Sequence, residues 1–143
     1  MIFLDSDSVI AFLRGKPNIA RFFAEHKNSI FAIPVPVLYE IYYGFYFPPL
    51  STNFQKDIGF LEKLRNEEKK LIRLLKDIKV FDLTLPAIKK SAEISATLDV
   101  KGKSVGKFDV LIAGIILANG YNEILTNNFS HYENISGLII HTF

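Results

Sequence analysis

The chain has 143 residues, 49% of them hydrophobic and 22% charged, with a net charge of +2 at pH 7 and no cysteine. That length is most simply one domain spanning 1–143, with enough apolar residues to bury a core. Disulfides and thiolate metal sites are excluded, the small net charge leaves nucleic-acid binding to local patches, and no apolar run approaches the roughly 20 residues that span a bilayer. An aspartate at position 5 does not suit a signal peptide, so a cytoplasmic protein with no membrane attachment is expected.

Ile2-Phe3-Leu4 reads as a short buried strand, followed by Asp5-Ser6-Asp7-Ser8 and a short helix with one face built from Val9, Ile10, Phe12 and Leu13. Asp7 is read as the cap of a helix that begins at Ser8. After Pro17, Ile19, Phe22 and Phe23 mark a second helix. Ser29 to Ile33 is the next strand, stopped by Pro34, and Val37, Leu38, Ile41 and Tyr42 repeat at helical spacing up to Gly44. Pro48-Pro49 is expected to break the chain. An apolar stripe then runs from Phe54 to Ile78 around Arg65-Asn-Glu-Glu-Lys-Lys70, a solvated helix face or the turn between two helices. Val80 to Leu83 is a strand, Pro86 suits a first helical turn, and Phe108 to Leu117 is a helix. Glu123 to Thr126 and Leu138 to His141 are the last strands.

Short apolar strands alternating with helices imply a parallel sheet covered on both faces. Ligands in such sheets gather beyond the carboxyl ends of the strands, where Asp5 and Asn127-Asn128 fall. Glu40 lies one turn into the helix after the second strand, and Asp109 opens the apolar helix FDVLIAGIILA. Singly, Glu40 and Asp109 read as ordinary helix acids. Together with Asp5 they crowd one end of one sheet, where carboxylates repel unless a cation is present. Hard oxygen donors without cysteine favour Mg²⁺ or Mn²⁺.

Four segments in order, FLDSDSVIAFLRG, IPVPVLYEIYYG, GKSVGKFDVLIAG and ILTNNFSHYENISGLII, resemble PIN-domain ribonucleases of the VapC type, toxins of toxin–antitoxin pairs. The resemblance spans nearly the whole chain. It implies a three-layer α/β/α fold with a central parallel sheet of four to five strands. It places Asp5, Glu40 and Asp109 on the family's recurrent acids and Asn128 on a fourth position that is often aspartate, where an amide brings an oxygen but no charge. The activity implied is Mg²⁺-dependent hydrolysis of RNA (Mn²⁺ being an alternative ion), leaving a 5′-phosphate and a 3′-hydroxyl. Ser6 and Thr126 are placed to hydrogen-bond the metal-holding groups, or to cap backbone. Arg14, Lys101, Lys103 and Lys107 are candidates for RNA phosphates. A homodimer neutralised by an antitoxin is implied, and the aromatic run Tyr42 to Leu50 suits one of those contacts or packs beneath the middle helices. His26, His131 and His141 stand at no metal-ligand spacing, and His131 is expected to face the surface or a partner.

Two other readings remain. A catalytically degenerate PIN domain would act only as a binding module, a reading motivated by Asn128. A haloacid-dehalogenase-like phosphatase would use Asp5 as nucleophile and Asp7 as general acid, but it leaves Glu40 and the Asp109 segment without a role.

Overall fold

Five strands, β1 (Ile2–Leu4), β2 (Phe31–Pro34), β3 (Lys79–Phe81), β4 (Glu123–Leu125) and β5 (Ile139–His141), form one sheet in the computed structural model, which describes residues 1–143. All neighbours are parallel, in the order β3-β2-β1-β4-β5. β1 is central: Phe3 pairs with Ala32 on one side and Ile124 on the other. All three β1 residues are buried, as expected for a strand covered on both faces.

The helices are α1 (Ser6–Leu13), α2 (Pro17–Glu25), α3 (Val35–Leu50), α4 (Ile58–Asp77), α5 (Leu85–Val100), α6 (Lys107–Ala118) and the single turn α7 (Phe129–Tyr132). The arrangement is the three-layer α/β/α fold, with the sheet between helical layers and a continuous core that includes Phe3, Leu4, Ile33, Ile112, Ile115 and Ile124. Its tightest helix pair is α5 on α6. At Gly114 a Cβ would stand 1.9 Å from the Ser91 hydroxyl and 2.7 Å from the Ala87 carbonyl oxygen, so only glycine permits that approach.

Three local expectations are corrected. The helix after β1 begins at Ser6, with Asp5 rather than Asp7 as its N-cap. Pro48 and Pro49 do not break α3, which runs to Leu50. Both prolines fall in its last turn, where few backbone bonds are lost, and the Ser51 N–H closes the end on the Phe47 and Pro48 carbonyls. The charged run Arg65 to Lys70 lies inside one continuous α4 and is not wholly solvated, because Glu67 is buried and its carboxylate lies 3.4 Å from Arg14 Nε. No helix is long and apolar enough to cross a membrane.

Candidate active site

The strand order reverses beside β1, between the connections that lead to β2 and those that lead to β4. The carboxyl ends of β1 and β4 therefore border the crevice where open α/β sheets hold ligands. Asp5 leaves β1 at that point, its N–H donating to the Leu125 carbonyl at 3.1 Å. Its side chain is almost fully buried, 2% exposed. Oδ1 accepts the Ser6 N–H at 2.8 Å, and Oδ2 accepts the Thr126 hydroxyl at 2.9 Å. One carboxylate thus caps α1 and joins it to the end of β4. Burial pushes its pKa up to about 6; the Ser6 N–H and Thr126 hydroxyl oppose the shift, while the charges of Asp7 and Asp109 add to it.

Asp7, in the first turn of α1, reaches across to the loop after β4. Its Oδ2 accepts the Asn127 N–H at 2.7 Å and lies 3.3 Å from the Thr126 hydroxyl. Its pKa is also raised, chiefly by burial.

Asp109 stands in the first turn of α6. Tyr132 donates its hydroxyl to Asp109 Oδ1 at 3.3 Å, and His131 Nδ1 lies 3.2 Å from Oδ2. Gly106 makes room for this carboxylate, since a Cβ there would meet Asp109 Oδ2 at 2.7 Å. Glu40, on α3, is half-buried. Its pKa is raised by burial, an effect opposed by the Ser6 hydroxyl and reinforced by the charges of Asp109 and Asp7. Asp109 therefore stands within electrostatic reach of both Asp5 and Glu40, residues far apart in sequence, and Asp7 acts on both as a further acid. The Thr126 hydroxyl serves Asp5 and the local backbone together, accepting the Asn128 N–H, whereas Ser6 meets Asp5 through its backbone N–H and Glu40 through its hydroxyl.

Other expected residues take different positions. Asn128 is exposed, and its N–H donates to the Thr126 hydroxyl oxygen at 3.0 Å. Lys103 is held by Asn134 at 2.9 Å, whereas Lys101 and Lys107 are exposed. Arg14 is ion-paired with Glu67 and shares with it and Glu40 a small cleft between α1, α3 and α4. Tyr132 was not legible in the sequence. It is fully buried, and the charges of Asp5 and Asp109 add to burial in holding its phenol far above its usual pKa. His131 faces Asp109 rather than only solvent or a partner; its nearness to Asn128 was the one available signal. His26 stacks on Phe22, and His141 bonds Glu123 at 2.8 Å.

No three of these side chains converge into a ready-made metal cage. The donor set nevertheless fits a hard cation. Mg²⁺ keeps much of its water and typically binds through one or two carboxylates together with substrate phosphate. The Gly106 cradle leaves the Asp109 carboxylate clear, and a buried oxygen of Asp7 has no hydrogen-bond partner.

The model of the family described as "PIN domain" matches residues 2–134. The chain belongs to the PIN domain family. Members of that family are generally nucleases that use divalent metal ions, which makes this PIN domain a hydrolase of nucleic acid by family and displaces the phosphatase reading of Asp5 and Asp7. It is similar to a chain in the crystal structure of VapBC2 from Rickettsia felis bound to a DNA fragment from their promoter, with 25% identity, a TM-score of 0.75, and coverage of 100% of this chain and 99% of that one. A chain of DNA-bound VapBC from Salmonella typhimurium shares 24% identity at a TM-score of 0.75, covering 99% and 96% respectively. For FitAcB from Neisseria gonorrhoeae the identity is 18% and the TM-score 0.71, with 99% and 97% covered. Comparison with curated proteins gives no match.

Proposed function

We propose that this PIN domain is a Mg²⁺-dependent endoribonuclease (Mn²⁺ serving as an alternative ion) and the toxin of a VapBC-type toxin–antitoxin pair. The observation that carries the reading is that Asp109 and Asp7 each stand within electrostatic reach of both Asp5 and Glu40 at the carboxyl end of the sheet. Such a cluster opposes its own ionisation and is relieved by a cation. Asp5, Glu40 and Asp109 would hold the ion, and Asn128 would contribute an uncharged oxygen. When bound, a divalent cation supplies polarisation of a phosphoryl oxygen and a water of lowered pKa.

The chain's own groups do the positioning. Ser6 N–H and Thr126 fix the Asp5 carboxylate, and Tyr132 and His131 hold that of Asp109. Lys107 opens α6 two residues before Asp109, so its charge is available to an RNA phosphate beside the acids. Lys103 and Arg14 would serve the same backbone once released from Asn134 and Glu67.

The partner proposals, an antitoxin and a second copy of the chain, are supported by the VapBC complexes among the similar structures. They are supported also by an aromatic ridge on α3. Tyr39, Tyr43 and Phe47, one turn apart, are 60%, 56% and 46% exposed, more apolar surface than a helix leaves in solvent without use.

Incubating RNA with the purified protein tests the activity. Cleavage is expected with Mg²⁺ or Mn²⁺ and not with EDTA, and Asp5→Asn, Glu40→Gln and Asp109→Asn should each reduce it by at least about a hundredfold. If the wild type neither cleaves RNA nor binds either ion, the binding-module reading that Asn128 motivates takes its place.

A further inference from the structure

Asp7 is not among the residues proposed above to hold the ion, yet it does more than a helix-terminus acid, for beside the Ser8 N–H of its own helix it meets the loop after β4. The Thr126 hydroxyl accepts the Asn128 N–H at 3.0 Å and carries a single proton of its own. Two carboxylate oxygens face that proton, Asp5 Oδ2 at 2.9 Å and Asp7 Oδ2 at 3.3 Å. Whichever one it serves, the other meets a lone pair. Asp7 Oδ2 is compensated by the Asn127 N–H at 2.7 Å, but its Oδ1 is buried and has no hydrogen-bond partner. A buried carboxylate oxygen left unpaired costs stability, and a bound ion is one of the partners that satisfies such an atom.

We propose that Asp7 supplies a fourth carboxylate to the metal site, its unpaired Oδ1 being an oxygen offered to the divalent cation. This rests on the metal-nuclease reading. Asp7 then has two tasks on two oxygens: Oδ2 fastens the loop that carries Asn128, and Oδ1 faces the ion. The negative charge stands on α1 instead of on the Asn127-Asn128 loop that Asp7 grips, and placing a charge on that loop should substitute for it.

Mn²⁺ affinity of the full-length chain, measured by isothermal titration calorimetry, tests this apart from activity. Asp7→Asn keeps an oxygen for the Asn127 N–H and removes the charge. It should weaken Mn²⁺ binding by on the order of tenfold or more, while the melting temperature in EDTA stays level or rises. Adding Asn128→Asp to Asp7→Asn should restore most of the affinity. If Asp7→Asn does not fold, Asp7→Ser, with a hydroxyl for the same N–H, carries the same expectation. Wild-type affinity in the folded Asp7 variants would make Asp7 a loop anchor and overturn the inference alone. Failure of the wild-type chain to bind Mn²⁺ or Mg²⁺ would overturn both it and the reading on which it rests.

Discussion

A single buried carboxyl group sets much of this site's response to pH. Asp5 titrates near 6 in the folded chain and near 3.8 when unfolded, so the folded state holds its proton more tightly. The stability this group contributes is present below about pH 4 and is lost as pH rises through about 6. By neutral pH the ionised side chain costs on the order of 3 kcal/mol in the absence of a cation. Asp5→Asn should therefore melt several degrees above wild type at pH 7.5 in EDTA, with the advantage disappearing towards pH 4. Thermal melts across that range check this, and added Mg²⁺ should narrow the gap by stabilising only the wild type. At this scale the sequence put Asp5 at a strand end, Glu40 one turn into the helix after β2 and Asp109 in the first turn of an apolar helix, and the fold sets Asp109 near the other two. The sequence did not separate the roles of Asp5 and Asp7. Aspartate is an equally good N-cap at either position, and the choice was made by Asn127, 120 residues away along the chain. Tyr132 was hidden for a similar reason: one turn of helix has no periodicity to read, and its partner Asp109 lies 23 residues back.

Among the elements, α6 is the one on which the site depends most. It carries Asp109 in its first turn and is pressed against α5 at Gly114. Gly114→Ala puts a methyl group into the Ala87 carbonyl, which is helix backbone and cannot rotate away. Denaturant titration should show a loss of about 3 kcal/mol, and the residual folded protein should cleave RNA poorly because α6 is displaced. The apolar run of α6 was plain in the sequence, but which glycine marked a close helix contact was not, since that depends on a partner helix. The α3 prolines show the opposite error. Their breaking tendency is real, but it acts little in a final turn that tertiary contacts already hold, with Pro48 buried against the core.

For the whole molecule, the alternation of strands and helices was enough to place the acids at one end of a parallel sheet. Strand order was not readable, and it is the order that sets β1 beside β4 and so brings Asp5 to Thr126. A surface groove of about 500 Å³ lies elsewhere, between α3 and α4, with Phe45, Tyr46, Pro49 and Leu50 along its α3 side. Tyr46 and Phe47 are 59% and 46% exposed, which settles their place at the surface rather than beneath the middle helices. Replacing both with alanine should leave the melting temperature within a few degrees of wild type and should weaken self-association or antitoxin binding in sedimentation experiments. Unchanged self-association and antitoxin binding in the double variant would remove these two side chains from the proposed contact.

The buried phenol of Tyr132 has an optical consequence. The chain has six tyrosines and no tryptophan, so no indole masks tyrosine absorbance or drains its emission. One of those six phenols is anchored on Asp109 and feels the charge of Asp5. A cation captured by these acids must alter the electric field across that ring. The protein thus carries its own unlabelled chromophore for occupancy of the site, readable as a near-ultraviolet difference spectrum that Tyr132→Phe should erase.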